Sequence, residues 1–299
     1  MADDRIPVLF DTDIGSDIDD AVALSYLLNQ PRCEIVGITC VSGEVNLRAR
    51  CASAICRAVD RDDIPIHCGS EPSLLRGVRQ PKCQQAEALD RWSHRTDFAP
   101  ATAVDFMRKA IRERPGEITL LSVGPMTNIG LLFATDPEIP SLLKDYVVMA
   151  GKFVMDGAPG ALSEWNVNCD PEAAAIAYER APVGMRSVGL DVTMRCQMAA
   201  DAVRQRFSAA GGALAPTLDF AEVWFRHAQV ITFHDPLAAT TVFESDLCEW
   251  ARGQVRVELQ GQHTGAVTVF GRSGEGPHQC AVNVDPQRLF DHYFATVGG

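Results

Sequence analysis

Short β-type apolar runs alternate with helix-periodic segments along most of this chain, and that alternation restricts it to a parallel sheet with crossover helices. The runs 6–10, 34–40, 64–68, 118–123, 146–150 and 185–190 read as strands, while 21–29, 46–59, 101–114, a stretch from Thr127 and 171–180 carry helical spacing. Parallel neighbours joined by right-handed crossovers give an α/β fold, an open, mostly parallel sheet flanked by helices. Two further runs, 254–259 and 266–270, are separated by GQHTG and predict a small antiparallel hairpin near the C-terminus. With 299 residues and 46% hydrophobic content, the expectation is one domain spanning 1–299.

A formal charge of −12 and no long run among the 27 basic residues exclude a polyanion-binding surface, so no nucleic acid is expected as partner. No stretch approaches the roughly 20 continuous apolar residues of a membrane span, so no membrane partner is expected either. The start MADDRIPVLF lacks the features of a signal peptide, which favours a cytoplasmic location. The ten cysteines are scattered without CxxC pairs and read as reduced core thiols.

In open parallel sheets ligands collect beyond the carboxyl ends of the strands, so the strand-following loops are the place to look for chemistry. The first carries Asp11, Asp13, Asp17, Asp19 and Asp20, and so many neighbouring carboxylates call for a cation. Oxygen-only ligands favour Ca²⁺ or Mg²⁺ over zinc, although calcium needs more ligands than this loop supplies. A helix N-cap is the alternative use of such acids, and it suits Asp17 best. The second loop is Gly124-Pro-Met-Thr-Asn128, a Gly-Pro turn into a helix. In the third, Glu164 and Asn166 alternate and would share a side if extended, while Asp170 caps a helix opened by Pro171. The fourth, His234-Asp235-Pro236, sets an imidazole beside a carboxylate.

Taken in order, Asp11-Thr-Asp13-Ile-Gly15 with Asp19-Asp20-Ala21, Gly124-Pro-Met-Thr127-Asn128, Glu164-Trp165-Asn166 with Asp170-Pro-Glu-Ala-Ala174, and His234-Asp235-Pro236 resemble the inosine-uridine nucleoside hydrolase family across nearly the whole chain. The resemblance implies a Ca²⁺-dependent ribonucleoside N-ribohydrolase that frees base and ribose, working in nucleoside salvage or catabolism. It implies Ca²⁺ held by Asp13, Asp20, the main-chain carbonyl of Thr127 and Asp235. It makes Asp13 the base for a cation-activated water. Asp19, Glu164, Asn166 and Asp235 would grip the ribosyl hydroxyls, and His234 would assist the departing base. A small-molecule ribonucleoside and a homodimer or homotetramer follow from the same resemblance. Trp92, Trp165 and Trp224 are candidates to stack a base, Trp224 first because it precedes the His234 loop.

The chain departs from the family pattern at several places. Ile14 replaces a usual Pro, and two extra residues separate Gly15 from Asp19-Asp20, so Asp17 competes with Asp19 for one role. Glu44 stands where many relatives carry an Asn near the ribose, and Ala158 near where they place an Asn for the 5′-hydroxyl. Three other readings remain: a haloacid-dehalogenase-type Mg²⁺ phosphatase built on Asp11 and Asp13, a nucleoside- or ribose-binding homologue with little turnover, and a purely structural calcium site.

Overall fold

The computed structural model describes residues 5–153 and 162–298. Its strands are β1 (Ile6–Thr12), β2 (Cys33–Cys40), β3 (Ile66–Cys68), β4 (Thr119–Ser122), β5 (Asp145–Met149), β6 (Met185–Val188), β7 (Gln197–Ala199), β8 (Val230–Thr232), β9 (Cys248–Val257), β10 (Thr268–Arg272) and β11 (His278–Val284). Nine of them form one sheet in the order β10-β9-β11-β6-β5-β4-β1-β2-β3, and β7 pairs with β8 alone. From β6 through to β3 every pairing is parallel, as the alternating pattern predicts. Helices cover both faces, so β4 is buried at every position and β1 at every position after Ile6, the signature of strands with no solvent side.

The chain moves outward from β1 through β2 to β3, then returns to place β4 on the other side of β1. That reversal opens a crevice beyond the carboxyl ends of β1 and β4, the usual ligand position in such sheets. Gly124, just past β4, lets the two ends close up: a Cβ there would lie 2.7 Å from Asp13 Oδ1 and 2.9 Å from Asp13 N.

The hairpin is present as β9 and β10, with β9 beginning earlier than expected, at Cys248. It does not meet the parallel strands directly, because β11 lies between β9 and β6, parallel to β6 and antiparallel to β9. β11 and the helix Pro286–Val297 that follows it are not among the elements expected from the sequence. The segment expected to be extended at Glu164 is also different: Glu164 caps a short helix, Trp165–Cys169, accepting from the backbone N–H groups of Asn166 and Val167. Asp170 does cap the helix Pro171–Glu179, through Ala173 N. All ten cysteines are free and buried. Among the described residues no helix is long and apolar enough to cross a membrane.

The helix Thr127–Thr135, which leaves the crevice, packs on Pro171–Glu179 at Gly130, where a Cβ would come within 2.8 Å of Ala173 Cβ and 2.9 Å of its Cα. A branched side chain there must push backbone as well as side chain. Gly130→Leu should therefore cost about 1–3 kcal/mol, read as a lowered urea midpoint, and an unchanged midpoint would mean the two helices part freely.

Candidate active site

The carboxylates of the first loop reach one place because β1 ends, the chain bends at Gly15 in a left-handed conformation (φ +113°), and the helix Asp19–Asn29 starts at once. The helix His234–Thr241 starts beside it, so Asp19, Asp20 and Asp235 all stand in first turns, where backbone N–H groups favour negative charge. Asp235 N donates to Asp19 Oδ2 at 3.1 Å, which joins the two helix starts directly. Thr12 Oγ1 donates to Asp20 Oδ1 and accepts from Ile14 N at 3.1 Å, fixing the bend. Oxygens of Asp19, Asp20 and Asp235 lie within 4.8 Å of one another, all buried.

A cavity of about 380 Å³ opens above this group. Asp13, Asp17, Asp19, Asp20, Glu164, Asn166, His234 and Asp235 all line it, so three of the four sequence motifs contribute to a single concave site, and the Gly124–Asn128 loop does not line it. Val123, Met149 and Leu190 supply apolar wall. Glu164 accepts from three backbone N–H groups, Asn166 N at 2.6 Å, Val167 N at 3.0 Å and Gly151 N at 3.2 Å. Asn166 Nδ2 donates to Val123 O and Met149 O at the ends of β4 and β5, which leaves its carbonyl oxygen for a ligand. His234 Nδ1 lies 2.7 Å from Thr193 Oγ1.

Burial and mutual repulsion raise the proton affinity of this cluster. Burial lifts Asp13, and burial with like charge lifts Asp19, Asp20 and Asp235 well above the usual carboxylate range. Burial pushes Asp17 up to about 6 and Glu164 to about 7, in each case against hydrogen bonds from backbone N–H groups. Burial pushes His234 down to about 4, so its imidazole is neutral at neutral pH. An all-oxygen, buried, self-repelling donor set fits a hard divalent cation, which relieves that repulsion.

Two residues that motif reading missed organise the site. Arg48 is fully buried, and its guanidinium donates to Gly43 O, Asp13 O, Ile14 O, Ser16 Oγ, Gln80 O and Lys82 O. Gln80 Nε2 donates to Asp13 Oδ2, and its Oε1 accepts from the Trp165 indole. The signal for Arg48 was present in the sequence: a charged residue on the apolar face of the helix Val45–Arg57, among Val45, Ala49, Ala52 and Ile55. Gln80 sits in a loop and leaves no such signal.

Several candidates fall outside the cavity. Glu44 pairs with Lys82 at 2.9 Å and accepts from Cys83 N, so it holds the 80–83 loop. Thr127 is buried, and its hydroxyl donates to Asp170 Oδ2 at 2.7 Å. Trp224 lines a neighbouring cavity with Trp165. Ala158 lies outside the described residues. Trp92 bonds Asp219 instead. Asp11 is buried beneath the site, accepting from Thr39 Oγ1 and Asn128 Nδ2, and it does not line the cavity, which removes the nucleophile a phosphatase of the dehalogenase type would need.

Comparison with known proteins agrees with this geometry. The sequence profile of the inosine-uridine preferring nucleoside hydrolases matches residues 8–291. A pyrimidine-specific ribonucleoside hydrolase, RihA, from Citrobacter koseri is 32% identical over 96% of each chain. A probable uridine nucleosidase from Arabidopsis thaliana is 28% identical over 89% of this chain and 86% of its own. The structure of a purine-preferring ribonucleoside hydrolase from Gardnerella vaginalis superposes with a TM-score of 0.82 at 26% identity, covering 98% of both chains. The match spans the sheet, the four loops and nearly the full length, and the chain belongs to the inosine-uridine preferring nucleoside hydrolase family, whose members hydrolyse N-glycosyl bonds.

Proposed function

We propose that the chain is a Ca²⁺-dependent ribonucleoside N-ribohydrolase that acts as a small-molecule enzyme on purine or pyrimidine ribonucleosides. The observation that carries this reading is the convergence of Asp13, Asp17, Asp19, Asp20 and Asp235 with Glu164, Asn166 and His234 in one cavity. Asp19, Asp20 and Asp235 are the carboxylates that would hold the cation, with Asp13 and the Thr127 carbonyl carried over from the family pattern. When bound, such an ion supplies a fixed positive charge that lowers the proton affinity of nearby water and orients hydroxyl ligands.

The chain's own residues supply the rest. Asp13 accepts the proton of the attacking water, its carboxylate held in place by Gln80 and its main chain by Arg48. As the C–N bond lengthens, positive charge grows on the ribosyl ring, and the surrounding carboxylates stabilise it more than they stabilise the neutral substrate. Asn166 offers a carbonyl oxygen, and Glu164 a carboxylate fixed by three N–H groups, to ribosyl hydroxyls. Neutral His234, with Nδ1 against Thr193, presents its other nitrogen to the departing base.

Wild-type protein should release free ribose from uridine or inosine with Ca²⁺ and lose that activity after chelation. Asp13→Ala should lower kcat by about 10²- to 10⁴-fold with the fold intact. Calcium binding without ribose release from any ribonucleoside would leave a binding protein in its place.

Proton linkage gives a second expectation. Asp17, Glu164 and the buried Asp11, pushed up to about 7, keep protons in the folded metal-free protein that the unfolded chain releases, so metal-free stability falls as pH rises from about 4 through 7. A cation that takes over the charge of the cluster removes this loss. The rise in unfolding temperature on adding Ca²⁺ should therefore be larger at about pH 8 than at about pH 5, and an equal rise at both would place the ion away from these acids.

A further inference from the structure

Cys51 and Cys83 are more than two core thiols. They come from the helix Val45–Arg57 and from the loop that carries Gln80, yet their sulfurs lie 3.8 Å from each other. Cys83 Sγ also donates to Ile14 O at 3.9 Å. The pair sits against Gly15, where a Cβ would overlap Cys83 Sγ and meet Cys51 Sγ at 3.8 Å. Both sulfurs therefore lie under the bend that leads from Asp13 to Asp19 and Asp20.

The two thiols are not equivalent. Cys51 is fully buried, whereas Pro81, Lys82 and Gln84, around Cys83 in the chain, line the neighbouring cavity of about 400 Å³. That cavity brings a molecule the size of hydrogen peroxide close to Cys83. The Cys51 thiol and the charge of Arg48, which holds Lys82 O, keep the proton affinity of Cys83 below the usual thiol range, while contact with Cys83 and burial push that of Cys51 well above it. An attacking thiol and a resolving partner need this asymmetry.

We propose that Cys51 and Cys83 form a reversible disulfide with a peroxide as oxidant, and that this bond slows turnover by shifting Gln80 on Asp13. Cys83 gives up its proton and attacks one peroxide oxygen, the O–O bond breaks, and the departing hydroxide takes that proton and leaves as water. Cys83 is then a sulfenic acid. The Cys51 sulfur attacks the Cys83 sulfur and displaces hydroxide, which leaves as a second water with the Cys51 proton. Two thiols and one peroxide become one disulfide and two waters, the sulfurs oxidised and the peroxide oxygens reduced.

Bonding closes the sulfurs from 3.8 Å to about 2.0 Å. Cys83 N donates to Glu44 Oε2 at 2.8 Å, and Arg48 holds Gln80 O and Lys82 O, so the 80–83 loop takes up the pull as one piece. Gln80, which donates to Asp13 Oδ2, moves with it. The bond itself is independent of the ribohydrolase reading above, and its effect on turnover rests on that reading.

The test treats wild-type protein, loaded with Ca²⁺, with hydrogen peroxide, removes the excess with catalase, and measures ribose release beside peptide mapping without reductant. A Cys51–Cys83 linkage should appear with the loss of two hydrogens, kcat on uridine or inosine should fall about 10- to 100-fold, and dithiothreitol should restore both. Cys83→Ser should turn over like reduced wild type and keep its rate in peroxide, while Cys51→Ala should stop at a Cys83 sulfenic acid that dimedone labels. A linkage between other cysteines, a fall in rate without the Cys51–Cys83 bond, or the bond with kcat unchanged overturns the switch. Reduced wild type that releases no ribose from any ribonucleoside removes the ribohydrolase reading and with it the effect on turnover, and the mapped bond still decides whether the thiols pair.

Discussion

The site depends on one buried cation that belongs to the protein itself. Arg48 carries a full charge into an interior where it bonds no carboxylate among the described residues, and it is stabilised instead by carbonyl oxygens from three segments, at Gly43, at Asp13 and Ile14, and at Gln80 and Lys82. A guanidinium can do this because its five donors point in fixed, separate directions. The result is a knot of three loops tied at the root of the carboxylate cluster. Its charge also opposes the repulsion at Asp13 and Asp20, holding down a proton affinity that burial drives up. It works beside direct bonds between the same loops, from Gln80 Nε2 to Asp13 Oδ2 and Ser16 Oγ and from Ser16 Oγ to Lys82 O.

Much of the fold was legible because its strands are buried on both faces, where the apolar run and the element coincide. The site was legible for a related reason: its acids sit at strand ends and helix starts, and both leave local marks such as Gly-Pro, Asp-Pro and Asp-Asp-Ala. What stayed hidden was tertiary. Glu164 and Asn166 alternate as a strand would, and only the folded chain shows Glu164 capping a helix with three N–H bonds. Glu44 is singled out by its position in a pattern, and its pairing with Lys82, thirty-eight positions away, is visible only in the folded chain. β11 is polar at several positions, and its parallel partner β6 is distant in sequence.

The molecule sets two chemistries side by side without mixing them. Carboxylates crowd the end of β1, where two helix starts and Arg48 make negative charge tolerable. Aromatic and basic side chains stand across the Gln80 side chain, Trp165 and Trp224 at helix ends and Arg79 and Lys82 on a loop. Gln80 touches both sides, through Asp13 and through Trp165, so movement of one wall is felt by the other.

The position of β11 has a consequence for how the chain is made. The β9–β10 hairpin meets the parallel strands only through β11, which lies between β9 and β6 and is synthesised after both hairpin strands. On a ribosome, then, the sheet waits with an open edge at β6 while the hairpin trails behind it. The last strand slots between two edges that already exist, and the helix after it brings Tyr293 to donate to Val22 O on the helix that carries Asp19 and Asp20. The helix start that carries these carboxylates is thus bonded to a residue 271 positions further along the chain.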